Sequence, residues 1–397
     1  MFENNKVNLE VLKKRAYNYR WAEVGEDIIP LTAADPDYPC APEIKQAMIE
    51  YVQDGYFSYT PKLGYDSFKK GISQALLQRK GEDIPYTQIL PIDSAARGMY
   101  IIAEAFLSEG DEMIVFDPCD YLFRESALAA GATVVTFPAS LDEEGHIDLT
   151  HFEDYVTPRT KMIGLCNPHN PYGKVYTKEQ LEFLMSLCEK HDIYIMNDEI
   201  WSDIIYSDAE FTSIYALGND RCHRVLSVYG FSKSFGLAGL RIGCIYCSDQ
   251  NNFAKLVKHS QVLSTAGGIA SISQVAGEVA VTQCYYWVDA FRKHLEENRD
   301  YAVERINKMS GLKAYRPQGT YLLFVDMSAY DMKAADFSEY LKETVKLAIV
   351  PGGREFFGDL SEGYFRVCFA TSRAILEEGL DRLEKGIALL RESKGIK

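Results

Sequence analysis

Between about residues 88 and 247 the chain alternates short apolar runs with amphipathic stretches, and few architectures accommodate that rhythm. The runs are Glu112–Phe116, Thr133–Phe137, Met162–Cys166, Ile193–Met196, Val225–Val228 and Ile242–Cys247, separated by helical stretches such as Leu122–Ala130 and Lys178–Lys190. Strands this apolar on both faces have to lie inside a sheet that is covered on both sides, which is the parallel strand–helix–strand arrangement. The pattern therefore predicts an α/β fold with a mostly parallel central sheet flanked by helices. Upstream, Pro42 stands in the first turn of a helical pattern over Glu43–Tyr51, where proline is tolerated. Downstream come a long helical stretch, Tyr286–Met309, strand-like runs at Tyr321–Val325 and Tyr364–Phe369, and a final amphipathic helix over Ile375–Arg391. At 397 residues the chain exceeds one simple core. The expected division is a large α/β domain over 46–285 and a smaller α+β domain made from 286–397, with residues 1–45 folded back on it.

Charge and cysteine usage narrow the function. With 42 basic against 57 acidic residues the net charge is −15, which speaks against a nucleic-acid partner. Nine scattered cysteines in a chain this long do not read as a disulfide framework. Cys244-Ile-Tyr-Cys247 has metal-like spacing, but no second pair accompanies it and the segment reads as a strand, so no metal is expected. The N-terminus (MFENNKVNLEVLKKR) has no apolar signal core, and no apolar run reaches the roughly 18 residues that span a bilayer. A cytoplasmic protein without membrane partners is expected.

Four motifs carry chemistry. In FSKSFGLAGLRIG (231–243), Lys233 lies in a Gly-rich turn among Phe231, Phe235, Leu237 and Leu240. A desolvated lysine has a depressed pKa and becomes a nucleophile toward an aldehyde, and Arg241, eight residues on, is suited to a phosphate. In NDEIW (197–201), Asp198 follows an apolar run, at the strand end where open α/β sheets bind ligands. NPHNPYGKVYT (167–177) forces an irregular loop at another strand end, from which the Asn170 amide can donate to a phenolate oxygen. YFRVCFA (364–370) sets Arg366 in a strand-like alternation, placed to clamp a carboxylate. Alone, each also reads as ordinary structure: a lysine capping a helix, a carboxylate cap, a turn, a solvated edge arginine.

Taken together, in order and spacing from DPDYP (35–39) to YFRVCFA (364–370), the motifs resemble the fold-type I, pyridoxal 5′-phosphate (PLP) dependent enzymes, and within them the class I/II aminotransferase family. The resemblance implies the PLP-transferase fold type I. It also implies Lys233 as the Schiff-base lysine that moves the Cα proton, Asp198 as the partner of the pyridine nitrogen, and Asn170 as the donor to the cofactor's 3′-oxygen. Arg241 and Ser232 would hold the phosphate and Arg366 the substrate carboxylate. Ile92-Asp93-Ser94-Ala95-Ala96-Arg97 stands where the family has a Gly-containing turn opening a helix, so Ser94, Ala95 and Ala96 are expected at the phosphate. Tyr59, in YTPKLG, resembles the tyrosine that reaches the neighbouring subunit's phosphate, which implies a homodimer with shared active sites.

Several positions depart from the family pattern. Trp201 replaces a Tyr, or in lyase-like relatives a His, and indole donates one hydrogen bond but cannot ionise. Strict spacing puts Asp120 where an aromatic ring stacks on the cofactor, with Tyr121 next to it to take that role. Ala34 stands for a glycine whose backbone approaches substrate, and Gly230 for a serine three residues before the lysine. The expected reaction is transamination between a small amino acid and a 2-oxo acid. The alternative is a C–S β-lyase of the cystathionine or cysteine-conjugate type, which the opening YRWAEVGEDIIPLTAADPDYPCAPEI and NPHNP resemble as much. No arginine occurs between Arg241 and Arg292, where dicarboxylate-specific relatives often supply one.

Overall fold

The computed structural model describes residues 1–218, 220–264 and 266–395. The chain opens with α1 (Leu9–Lys14), α2 (Tyr19–Ala22) and β1 (Ile29–Pro30), followed by α3 (Pro42–Asp54) and α4 (Asp66–Lys80). The alternating region runs β2 (Ile89–Ile92), α5 (Ala95–Phe106), β3 (Glu112–Asp117), α6 (Tyr121–Ala129), β4 (Thr133–Pro138), β5 (Thr160–Cys166), α7 (Lys178–His191), β6 (Tyr194–Asp198), β7 (Val225–Gly230) and β8 (Gly243–Tyr246). Helices α8 (Gln250–Ser260), α9 (Ser271–Gln283) and α10 (Tyr285–Asn307) lead to β9 (Lys313–Ala314), β10 (Leu322–Asp326), α11 (Ala334–Val345), β11 (Leu347–Ala348), β12 (Val350–Pro351), β13 (Tyr364–Cys368) and α12 (Arg373–Lys394).

Seven strands form the central sheet in the order β2-β8-β7-β6-β5-β3-β4. The β7-β6-β5-β3-β4 run is parallel, and β8 is antiparallel to both of its neighbours. Apolar burial drives this: every residue of β3, β7 and β8 is buried. Glu112, at the start of β3, is met by Thr157 and by Arg159. Several helix starts carry side-chain caps. Thr177 and Gln180 make a reciprocal capping box on α7, Ser94 accepts from Arg97 N at the start of α5, and Asp120 accepts from Leu122 N at the start of α6.

The C-terminal part builds an antiparallel sheet, β12-β13-β10-β9, packed with α10, α11 and α12. The N-terminal segment joins it: β1 pairs in parallel with β11 through Ile29–Leu347 and Pro30–Ala348. Among the described residues no helix is long and apolar enough to cross a membrane. All nine cysteines are free, and Cys244 and Cys247 are buried.

Register determines where chemistry can occur. Ile92 at the end of β2 pairs with Gly243, which pairs with Gly230 at the end of β7. Strands β2, β7, β6, β5 and β3 thus all finish along one edge, each followed by a loop. At that edge β8 passes so close to α5 that a Cβ on Gly243 would lie 2.7 Å from the Ala95 backbone nitrogen and 3.0 Å from the Ser94 carbonyl carbon. Backbone there cannot give as a side chain can. Gly243→Ala is expected to lower stability by about 1–3 kcal/mol, measurable as a lower midpoint in urea with an unchanged slope.

Candidate active site

The loops leaving that edge converge with the C-terminal sheet on a cleft of about 660 Å³. Ala34, Ser94, Ala95, Ala96, Tyr121, Asn170, Asp198, Trp201, Ser232, Lys233, Arg241 and Arg366 all line it. Tyr59 does not: it is 94% exposed and stands over a separate hollow between the 58–64 and 262–271 segments. Lys62, in the same hollow, donates to the Leu263 carbonyl at 2.7 Å.

Lys233 follows β7 in a tight turn pinned by Phe231 and Phe235, both fully buried, with Phe235 N donating to the Phe231 carbonyl at 3.2 Å. Its Nζ donates to the Ala34 carbonyl at 2.7 Å and lies 5.4 Å from the centre of the Trp201 ring. Burial lowers the ammonium pKa, while Asp35 acts the other way. Asp198 ends β6. Its carboxylate accepts from Ile200 N at 3.0 Å, and burial pushes its pKa up to about 7, with Asp120 adding to the shift and Lys233 opposing it. No ion pair to Asp198 occurs among the described residues, so the anionic form is offset only by Ile200 N and by the charge of Lys233.

Asn170 links two other groups. Its Nδ2 donates to Asp120 at 2.9 Å, and its carbonyl oxygen accepts from Arg366 Nη1 at 3.3 Å. The neighbouring Asn167 serves the backbone, donating to the Thr212 carbonyl at 3.2 Å and accepting from Tyr176 N at 3.3 Å. Arg366 projects from β13, opposite Phe324 and Val350 in register, with its guanidinium 5.0 Å from the Phe357 ring centre. Its buried Nε has no partner, and burial lowers its pKa. Ser94 caps α5, and the first helical amides after it, those of Ala95 and Ala96, have no intrahelical acceptor. Arg241 is exposed at the cleft, in left-handed conformation at φ 50°. Gly230 keeps its corner small, since a Cβ there would lie 2.8 Å from Ile200 Cδ1.

Tyr121 opens α6 on the cleft wall, 43% exposed, and Asp120 beside it is turned onto Asn170. Two features escaped the sequence reading. Tyr321 donates to the same Ala34 carbonyl at 3.3 Å and packs edge-on to Trp201 with ring centres 4.7 Å apart. Arg20, also on the cleft, forms a fully buried ion pair with Asp37, which accepts from Trp21 Nε1 at 2.7 Å as well. The signal for the pair was present in DPDYP, whose second aspartate is Asp37.

These groups fit PLP. Free helix amides, Ser232 and Arg241 suit a phosphate, Asp198 lacks only a cation, Lys233 is a desolvated amine suited to an aldehyde, and Arg366 has an unused donor for a carboxylate.

Residues 26–383 match the family model for aminotransferase class I and II. An aspartate aminotransferase of Thermotoga maritima is 32% identical over 363 residues, 91% of each chain. A PLP-bound structure from Clostridium difficile 630, solved as a candidate aminotransferase, superposes with a TM-score of 0.88 at 26% identity, covering 98% of this chain and 100% of that one. Cystalysin from Treponema denticola superposes with a TM-score of 0.90, covering 98% and 99%; at 22% identity this likeness concerns the fold alone.

The raised Asp198 pKa has a thermodynamic consequence. The unfolded carboxyl ionises near 3.8 and the folded one near 7, so the ligand-free fold loses stability as pH rises between those values and recovers none above them. Asp198→Asn removes that dependence. The ligand-free variant should melt above the wild type at pH 8, with the gap closing toward pH 4, as followed by thermal melts across that range.

Proposed function

The chain belongs to the class I and II aminotransferase family, and on that premise we propose that it is a PLP-dependent enzyme moving an amino group between a small amino acid and a 2-oxo acid, with Lys233 as the cofactor-bearing lysine. The observation that carries the reading is the desolvated Lys233 amine in one cleft with an unpaired Asp198, Asn170, Arg241, Arg366 and the open end of α5. When bound, PLP supplies the electron sink that makes a substrate Cα–H acidic.

This chain's own residues do the rest. Arg366 takes the α-carboxylate through its unused guanidinium donor, orienting the substrate. The carboxylate of Asp198 would hold a proton on the pyridine nitrogen when the cofactor is bound, and that positive charge would offset the burial of Asp198. Lys233 Nζ, neutral more readily because burial lowers its pKa, accepts the Cα proton and returns it. Ser94, Ala95, Ala96, Ser232 and Arg241 would hold the phosphate, and Trp201 and Tyr121 would wall the ring. Arg20, held in its buried pair with Asp37, lines one side of the cleft.

Transfer is favoured over β-elimination because curated relatives at 30% and 32% identity are aspartate aminotransferases. Both reactions use Arg366 and Lys233 alike, so the products decide. With a single amino acid, a transaminase releases one equivalent of 2-oxo acid per site and stops until a second 2-oxo acid is added. Repeated release of pyruvate, ammonia and thiol from cystathionine or cystine alone would instead establish the C–S β-lyase.

A homodimer with shared sites is part of the proposal. It is supported by the exposed aromatic group Tyr56 (78%), Phe57 (65%) and Tyr59 (94%) on the segment after α3, which water would not favour on a free monomer.

Borohydride reduction of the holoprotein should leave a pyridoxyl group on the peptide containing 231–241; a label on another lysine sinks the Lys233 assignment. Asp198→Asn should retain the fold but lower kcat by about 10²-fold or more, and near-normal turnover would contradict its role. Mixing Lys233→Ala and Tyr59→Phe chains, each inactive alone, should restore activity in heterodimers, and an active monomer by light scattering would refute shared sites.

A further inference from the structure

Asp120 occupies a position on the cleft wall where the family pattern leads one to expect an aromatic ring, and its two oxygens have separate partners. Oδ1 accepts from Leu122 N at 3.1 Å, capping α6, and Oδ2 accepts from Asn170 Nδ2 at 2.9 Å. On the other side of Asn170, Arg366 Nη1 donates to its carbonyl oxygen at 3.3 Å.

We propose that Asp120 is a positioning residue for the reaction: it fixes the orientation of the Asn170 amide, so that one N–H remains available to the cofactor's ring oxygen while the carbonyl backs Arg366. This rests on the PLP reading above. A carboxamide presents two donors at one end and an acceptor at the other, and it fits its site either way round unless its neighbours discriminate. Here they do so from both ends. An ionised carboxylate only accepts and a guanidinium only donates, so a flipped amide would set oxygen against Asp120 and NH₂ against Arg366, two repulsions in place of two bonds. With one N–H spent on Asp120, the second N–H is the donor left over, and its direction is set by the first.

The residue type follows from the count of acceptors. Two donors, Leu122 N and Asn170 Nδ2, need two acceptor oxygens on a side chain short enough to cap a helix, and aspartate provides them. Asparagine has one acceptor, serine holds the cap alone, and an aromatic ring holds neither. Position 120 therefore gives up a ring, with Tyr121 next to it on the cleft wall, and gains a fixed hydrogen-bond acceptor, which acts on the cofactor through Asn170 and on the substrate carboxylate through Arg366.

Three variants test this on the reconstituted holoenzyme: Asp120→Ser, Asn170→Ala and the double substitution. Asp120→Ser keeps the α6 cap and should melt close to the wild type, which separates positioning from folding. Loss of a fixed donor to the cofactor's anionic oxygen should raise the pH midpoint of its visible absorbance by about one unit, the size of one hydrogen bond to a charged group. KM for the amino acid should rise with it. Asn170→Ala should shift the midpoint the same way, and the double variant should go no further than Asn170→Ala, because both act through one amide. An unshifted midpoint and KM in Asp120→Ser, or shifts that add in full, overturn the proposal. Should Asp120→Ser fail to fold, Asp120→Asn carries the same readouts, with one acceptor for two donors, and an unshifted midpoint there is equally fatal. A wild-type chain that takes up no PLP shows no such absorbance and overturns the underlying reading as well, an outcome distinct from normal uptake with an unshifted variant.

Discussion

Everything at the site depends on where parallel strands end. Hydrogen-bonding β7, β6, β5 and β3 in the same direction obliges their carboxyl ends to share an edge, and the antiparallel β8 returns the chain so that β2 finishes there too. Helices and the C-terminal sheet then cover that edge, so polar groups on the connecting loops are desolvated together. This single constraint explains opposite shifts in neighbouring residues. Withdrawal from water disfavours the charged form of either sign, pulling the Lys233 ammonium down and pushing the Asp198 carboxyl up. Without a ligand both groups move toward neutrality. A ligand with a cationic ring nitrogen and an anionic phosphate would reverse the cost for Asp198 and use the donors of α5, so its binding energy would come in part from relieving a burial penalty already built into the fold.

The second side of the cleft comes from far away in sequence. Arg366 arrives on β13, Tyr321 just before β10, and the N-terminal segment reaches across as β1 pairs with β11. The Ala34 carbonyl is the meeting point: Lys233 Nζ and the Tyr321 hydroxyl both donate to it. One backbone carbonyl thereby connects the N-terminal segment, the β7 loop and the C-terminal sheet. The Arg20–Asp37 pair fixes that segment from behind, where removing either partner would strand a buried charge.

What could be read from the sequence follows the same physics. Strands β3, β5, β6 and β7 were legible because strands buried on both faces must be apolar throughout, and α7 because Lys178–Lys190 keeps one apolar face; β4, at the sheet edge, kept an apolar run though only Phe137 in it is buried. β2 was harder. Pro91 lies inside Ile89–Ile92 and reads as a strand breaker, yet β2 is an edge strand paired only with β8, where proline is tolerated. Two-residue strands such as β1 and β11 exist only because tertiary packing brings them together, so no local pattern announces them. At the site, Lys233, Asp198, Asn170, Arg241 and Arg366 stood out through motif order, and the fold gathers them into one cleft. The grip of Asp120 on Asn170, 50 residues apart, and the sharing of Ala34 by Lys233 and Tyr321 depend on loop conformation, which residue spacing does not encode.

The departures from the family pattern fall on the walls and spare the charges. Trp201 brings an indole, which, like the retained amide of Asn170, donates hydrogen bonds and does not titrate near neutrality. Asp120 replaces a ring with a fixed carboxylate that holds the amide in place. The ionisable groups whose charge the chemistry needs, Lys233 and Asp198, remain where the strand ends put them. On the proposed reading a site arranged in this way would divide its work: the residues proposed to move protons are placed by the sheet edge and its desolvation, and the cofactor's electronic environment would be set by non-titrating donors oriented through hydrogen bonds. Changes on the walls can then retune reactivity without displacing the groups that hold the cofactor, which is the physical reason one fold can carry both amino transfer and β-elimination on the same charged framework.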